Sequence, residues 1–495
     1  MRDPAKPKAP AGGLRPYGVL DLLTEGGDER ITLDAICGLN RYGCGALPDD
    51  EAWAFGSSTA SVISEDAYQA VLERAGTFAA FPSPEAAYAQ GAQRVRVDLA
   101  ALCGLPDAAD DIILGASGTD LHLVVAELAR GDLPGPLTCI LPDPGETGRG
   151  VGAAVRSLHF AEQSPHGEPA CAGEPYPGIA PGRLLATPLR TPDGLARPAD
   201  QVDRDVERAC DQAVAAEGRA LLVTVDVSKT GLVAPSFDCA RRLKRRFGPA
   251  LTVFVDACQF RISRQTLAGY LAEDFLVAVT GSKFVGGPAF SGALFVPPAS
   301  AGRLRTRSLP PALGDVSGRQ DWPAAYRGRE SLRDRPNLGL LLRWEAALHE
   351  LAAFQALPPE SVDRFVADFA AGVTEAIEAL PELENLPPPP LARATPGRWD
   401  AGQTIFPFLV LKAGRPLSVN ALQNLYRGLQ SGRRAVHLGQ PVPVGFRDEQ
   451  PISALRLSLG ARLIVEALTA PAGPQAVIAR AREALAATAA RARQA

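Results

Sequence analysis

No run of about 18 apolar residues occurs anywhere in the 495-residue chain, so the pattern of a simple membrane-spanning helix is missing. The opening stretch, MRDPAKPKAPAGGLRP, has no apolar segment of secretory length, and up to about residue 15 it is expected to be disordered. A basic excess is also missing. Lys and Arg number 51 against 55 Asp and Glu, for a net charge of −4, which leaves no electrostatic footprint for nucleic acid. The eight cysteines (Cys37, Cys44, Cys103, Cys139, Cys171, Cys210, Cys239 and Cys258) form no CxxC pair and no metal-type spacing. Reduced thiols are therefore expected, not a zinc site or a disulfide framework. No internal repeat is visible. These absences lead to the expectation of a cytoplasmic protein whose size allows two or more domains.

What the sequence does contain is a series of short, continuously apolar runs separated by helical stretches. They are DIILGASG (111–118), LTCILPDP (137–144), LLVTVDVS (221–228), LTVFVDAC (251–258), FLVAVTGS (275–282) and SGALFVP (291–297). Amphipathic segments such as 198–218 lie between them. Apolar strands alternating with helices predict an α/β fold with a mostly parallel sheet covered on both faces. After about residue 335 the texture changes to helices at 337–357 and 359–380. A proline-rich connector at 387–397 follows, then short strands near 404–414, 434–445 and 452–464 with a helix near 418–430, and a closing Ala/Arg helix. The expected division is an N-terminal arm at 1–84, a large domain at 85–335 and a smaller α+β domain at 336–495.

Ligands in such sheets bind beyond the carboxyl ends of the strands, and the polar residues gather there. Ser117, Gly118 and Thr119 stand between a strand and a helix, where free N–H groups and a hydroxyl suit either a helix cap or a phosphate. Asp256 ends a buried strand with Gln259 three residues on, and needs a capping role or a cationic partner. Ser228 sits in the turn VSKTG, and Lys283 stands between two apolar runs and a glycine cluster. A lysine, an acid and a phosphate cup are together what pyridoxal phosphate requires.

The order SGT, VSKTG, VDACQ, GSKFVGGPAFSGALFV is similar to that of the class V aminotransferase and cysteine desulfurase group of fold-type-I pyridoxal phosphate enzymes. The resemblance covers about 110–300 and weakens to islands at LRDRPN (332–337) and ALRLSLG (454–460). It implies a seven-stranded-type sheet domain, a homodimer with sites near the interface, and an amino acid substrate carried through an external aldimine. It implies Lys283 as the Schiff-base lysine and Asp256 at the pyridine nitrogen. Gln259 and Ser228 fall near the ring oxygen, and Ser117, Gly118, Thr119 and Ser282 near the phosphate. Arg456 corresponds to the arginine that holds the substrate carboxylate. Arg335 corresponds to a phosphate contact made across the dimer, where a hydroxyl residue is usual.

Two departures stand out. Relatives often place an aromatic residue over the ring where this chain reads GETGRG, with Glu146 or Thr147 nearest. Glu146 is therefore expected as an acid/base, a ligand for the substrate amine, or a turn residue. No cysteine follows Cys258, so the late thiol of an ordinary desulfurase is missing. The reaction expected is class V transamination. A Cβ–S or related lyase, and a cofactor-binding protein without turnover, stand as alternatives. In the Gly- and Ser-rich segment 38–64, Asn40, Arg41 and Tyr42 are expected either to close over substrate or to belong to a structural arm. Nothing visible activates Cys44, and His437 reads as a packed histidine.

Overall fold

The computed structural model describes residues 18–131, 135–393, 397, 399–431 and 434–494. The opening segment expected to be disordered lies outside the described residues. The described chain begins with α1 (Val19–Thr24), β1 (Trp53–Phe55), α2 (Glu65–Gly76) and α3 (Pro84–Leu102). Strands and helices then alternate: β2 (Ile112–Gly115), α4 (Gly118–Arg130), β3 (Thr138–Pro142), α5 (Val151–Ala154), β4 (Arg183–Thr187), α6 (Ala199–Glu217) and β5 (Ala220–Asp226). After these come β6 (Val233–Ala234), α7 (Phe237–Phe247), β7 (Leu251–Ala257), α8 (Arg264–Ala272), β8 (Leu276–Thr280), β9 (Gly292–Phe295) and α9 (Pro298–Arg305).

These strands form one sheet in the order β2-β9-β8-β7-β5-β3-β4, with the two-residue β6 beside β5. Strands β8, β7, β5, β3 and β4 pair in parallel, while β9 runs antiparallel to both β2 and β8. The mostly parallel seven-strand sheet expected from the sequence is present. Its edge strand β4 is not among the apolar runs, because most of RLLAT keeps contact with solvent.

The continuous runs have a physical cause. Leu222, Val225, Val253, Val255, Val277 and Val279 enter one core, and Leu221, Val223, Phe254, Leu276 and Ala278 enter the other. A strand buried on both faces admits few polar residues, and each large apolar side chain contributes about 1.5–3 kcal/mol by leaving water. Polar chemistry is thereby concentrated at the strand ends.

The remainder comprises α10 (Leu338–Gln355), α11 (Pro359–Glu378), β10 (Leu383–Asn385), β11 (Ile405–Lys412), β12 (Arg415–Pro416), α12 (Val419–Gln430), β13 (Val436–Arg447), β14 (Gln450–Ser458), α13 (Ala461–Thr469) and α14 (Gly473–Gln494). Its sheet runs β1-β13-β14-β11-β10, with β12 on β11. Strand β1 comes from the segment read as an N-terminal arm, and pairs in parallel with Val436, His437 and Leu438. That pairing fixes the start of the segment 56–61, which continues towards the strand ends of the large sheet. Among the described residues, no helix is long and apolar enough to cross a membrane.

Candidate active site

Helix α4 begins immediately beyond β2. Ser117 is its N-cap, accepting from the Asp120 N–H at 3.3 Å and donating to Asp120 Oδ2 at 2.6 Å. The cap reading of Ser117 therefore holds, and it leaves the other first-turn N–H groups without acceptors inside the helix. Burial, reinforced by Asp28, pushes the Asp120 carboxyl up to about 7, so this acid is partly neutral near physiological pH. Gly118 is required for close approach, because a Cβ there would stand 2.5 Å from Cys258 Sγ. The helix start is thus pressed onto the turn that follows β7.

Asp256 ends β7 and is buried. Its Oδ1 accepts from the Cys258 N–H at 3.1 Å, and its Oδ2 lies 3.3 Å from His122 Nε2. The other ring nitrogen of His122 lies 2.7 Å from the Gly118 carbonyl, so one buried histidine bridges the α4 start and the carboxylate. Desolvation alone would raise the Asp256 pKa. His122, Lys283 and the Cys258 thiol overcome it and hold the carboxyl well below its ordinary range. His122 is missing from the sequence reading, its only signal being a lone histidine in the apolar helix LHLVV.

Lys283 follows β8 and Ser282, and its half-buried side chain forms no ion pair or hydrogen bond among the described residues. Its carbonyl accepts from Ser61 Oγ at 3.0 Å, and the Ser282 carbonyl from the Ser61 N–H at 3.1 Å. Thr280 Oγ1 donates to the Cys258 carbonyl at 2.7 Å and lies 3.3 Å from Ser282 Oγ. Gln259 donates one amide hydrogen to the Ser58 carbonyl at 2.9 Å, which fixes the side chain and leaves the second N–H of the amide for a ring oxygen. Arg261, fully buried and stacked over Phe284, donates to Ser57 Oγ at 2.8 Å and to the Leu459 carbonyl at 2.5 Å. Burial brings it down to about 9. The hydroxyl-rich run 57–61 therefore packs against the turns that carry Gln259, Arg261 and Lys283, whereas the sequence points to residues 40–42.

Those three residues are placed differently. Asn40 Oδ1 accepts from the Tyr42 and Cys44 N–H groups, closing a turn. Arg41 is exposed, with its carbonyl bonded to Gln440 Nε2 at 3.0 Å. Tyr42 packs beside Ala116 and Phe290, next to the α4 start. Cys44 is buried and its thiol pushed up to about 12, which removes thiolate reactivity at neutral pH.

Glu146 corrects its expected role. It is buried and takes Arg190 Nε at 2.6 Å, Ser228 Oγ at 2.8 Å, Thr230 Oγ1 at 2.7 Å and the Thr230 N–H at 3.1 Å. These partners outweigh desolvation and lower its pKa, so neither an acid/base nor an amine-binding role is open to an ion-paired carboxylate with no free lone pair. Ser228 is corrected with it: its hydrogen goes to Glu146, not towards a ring oxygen. Arg335 pairs with Glu168 at 2.5 Å and joins none of the strand-end residues of its own chain.

Arg456 lies on β14 beside Gly439 and is buried. It donates to the Lys229 carbonyl at 3.1 Å, Thr59 Oγ1 at 3.0 Å and the Gln440 carbonyl at 2.6 Å, while its Nε has no partner among the described residues. Ser58 Oγ is also without one, and both atoms face the surface of Gly439, where a Cβ would stand 2.5 Å from Ser58 Oγ and 2.9 Å from Arg456 Nε. Burial draws the guanidinium down to about 10, and it forms no ion pair among the described residues.

No protein-family profile matches the chain, and no curated protein sequence matches it. Solved structures do match it in fold. A NifS-like protein superposes with a TM-score of 0.52 at 13% identity, over 88% of this chain and 99% of that one. The cystine C–S lyase C-DES, in complex with its product cysteine persulfide, gives 0.54 at 15% identity, over 87% and 97%. The cysteine desulfurase CsdA from Escherichia coli gives 0.53 at 15% identity, over 89% and 95%. Such identities establish the fold, and the fold is the one the sequence resemblance implied. A C-DES variant of the same fold carries glycine covalently linked to its PLP cofactor.

Proposed function

We propose that this protein is a pyridoxal-phosphate-dependent enzyme acting on an amino acid, and that its reaction is transamination. One observation supports this most: the α4 start, Asp256 and the unpartnered Lys283 meet at adjacent strand ends, tied together by His122, Cys258 and Thr280. That donor set suits the cofactor. Ser117, Gly118, Thr119, Thr280 and Ser282 would hold its phosphate, Asp256 its ring nitrogen and Lys283 its aldehyde carbon. When bound, the cofactor supplies an electron sink for bond breaking at the substrate Cα.

The chain's own groups divide the remaining work. Asp256, kept ionised by His122, holds a proton on the group facing it. Lys283 moves a proton at the substrate Cα. Arg456 binds the α-carboxylate, the role its position in ALRLSLG implies, and its lack of an ion pair among the described residues supports it. Glu146, through Arg190, Ser228 and Thr230, is a positioning residue that holds three loops in place. A lyase reading shares all these assignments. The missing late thiol counts against a persulfide route in either case. Two copies are expected to assemble, which light scattering would measure.

Borohydride reduction of protein mixed with pyridoxal phosphate, followed by peptide mass spectrometry, tests the cofactor reading. A label on Lys283 that is lost in Lys283→Ala is expected, and no uptake by the wild type would overturn it. For the reaction, a transaminase given a single amino acid releases one equivalent of 2-oxo acid and stops. Continued turnover with loss of a Cβ substituent would favour the lyase.

A further inference from the structure

Lys229 directly follows Ser228 and is locked in place by its backbone. Its N–H donates to the Glu146 carbonyl at 2.9 Å, and its carbonyl accepts from Arg456 Nη1 at 3.1 Å. Its backbone is thereby held between the loop after β3 and the Arg456 side chain of strand β14. The ammonium donates to the Gly145 carbonyl at 3.1 Å and forms no ion pair among the described residues. Glu146, the acid whose charge reaches it, is already filled by Arg190, Thr230 and Ser228.

The neighbouring groups are cations. Arg456 forms no ion pair among the described residues, Lys283 has only the Asp256 charge to offset it, and the exposed Arg149 adds a further positive charge. Burial, then Arg456, Lys283 and Arg149, lower Lys229 to about 8, so the ammonium is still mostly charged at neutral pH but held there against repulsion. Glu146 offsets these charges only in part, and the cations Lys229 and Arg456, which form no ion pair among the described residues, are relieved by anions brought in from outside. One α-carboxylate neutralises one cation. A neutral amino acid would leave the second unpaired in a partly desolvated site, which is costly.

Resting on the amino acid reading above, we infer that the substrate carries a second anionic group on its side chain, a carboxylate, sulfinate or phosphate, met by Lys229 while Arg456 takes the α-carboxylate. The side-chain anion is the specificity determinant, and Lys229 is the residue that reads it.

The test compares near-isosteric pairs on the holoenzyme: L-aspartate with L-asparagine, L-glutamate with L-glutamine, and O-phospho-L-serine with L-serine. Dissociation constants come from spectral titration or calorimetry, alongside KM and kcat. The acidic member of at least one pair should bind more tightly, and the pair that responds identifies the anion. In Lys229→Met the acidic-to-neutral ratio should fall roughly 10- to 100-fold, the range expected for losing a hydrogen bond to a charged group, mainly through KM. Lys229→Arg should keep the preference, which separates lost charge from disturbed folding. Neutral members binding as tightly as acidic ones would overturn this inference alone. So would Lys229→Met weakening pyridoxal phosphate while leaving the ratio intact, which would assign Lys229 to the cofactor. If no amino acid of either kind binds the holoenzyme, this inference and the function proposed above both fall.

Discussion

Glu146→Gln is the sharpest test of whether the GETGRG segment is machinery or framework. The substitution keeps shape and one acceptor oxygen but removes the charge opposite Arg190, whose Nε lies 2.6 Å away with both side chains almost wholly buried. Neutralising one member of a buried pair leaves the other charge uncompensated, at a cost of about 3–5 kcal/mol. The retained oxygen places this variant at the low end, about 3 kcal/mol. With an m-value of about 3 kcal/mol/M in urea, the unfolding midpoint should fall by about 1 M. Far-UV circular dichroism and tryptophan fluorescence would follow the transition. The pH dependence has a definite sign. The native carboxyl lies below its ordinary 4.5, so its stabilisation is complete above that value and is lost as pH falls through the lower folded one. The gap between wild type and Glu146→Gln should therefore stay constant through neutral pH and close only in acid. Adding Arg190→Met should recover part of the loss, because no orphan charge remains. A variant that unfolds at the wild-type midpoint yet loses turnover would refute the framework role and restore Glu146 as an acid or base.

Gly118→Ala should loosen the α4 start by about 1–3 kcal/mol and weaken pyridoxal phosphate binding, since its Cβ would meet Cys258 Sγ at 2.5 Å. Calorimetry of the Gly118→Ala/Cys258→Ala pair checks the cause: no recovery in the double variant would mean that the contact is not what matters. For Lys229 the sign is that of a depressed lysine. The charge is present at neutral pH and is lost as pH rises through about 8, so the preference for an acidic substrate should fade above that pH. In Lys229→Arg it should persist into more alkaline solution, and a wild-type preference that stays flat across the same range would remove Lys229 from the argument.

Fold class was legible because burial on both faces of a parallel sheet disfavours polar residues, so β2, β3, β5, β7, β8 and β9 all stand out as largely apolar runs. The same constraint drives the polar residues to the strand ends, which is why Ser117, Asp256 and Lys283 could be picked out one by one. The sequence could not show what each polar group is bonded to, since a hydroxyl or carboxylate takes whichever partner the fold brings within reach. Glu146 is claimed by Arg190 from 44 positions away and by Thr230 from 84. Gln259 is claimed by Ser58 from 201 positions away, and Arg456 by Thr59 from 397. Strand β1 is too short to announce itself, and only its pairing with β13 carries residues 57–61 into the site. Local pattern determined the sheet and the positions where chemistry could sit. Tertiary contact decided which of those groups are tied to the chain itself and which, like the Lys283 ammonium, are left for something else to bind.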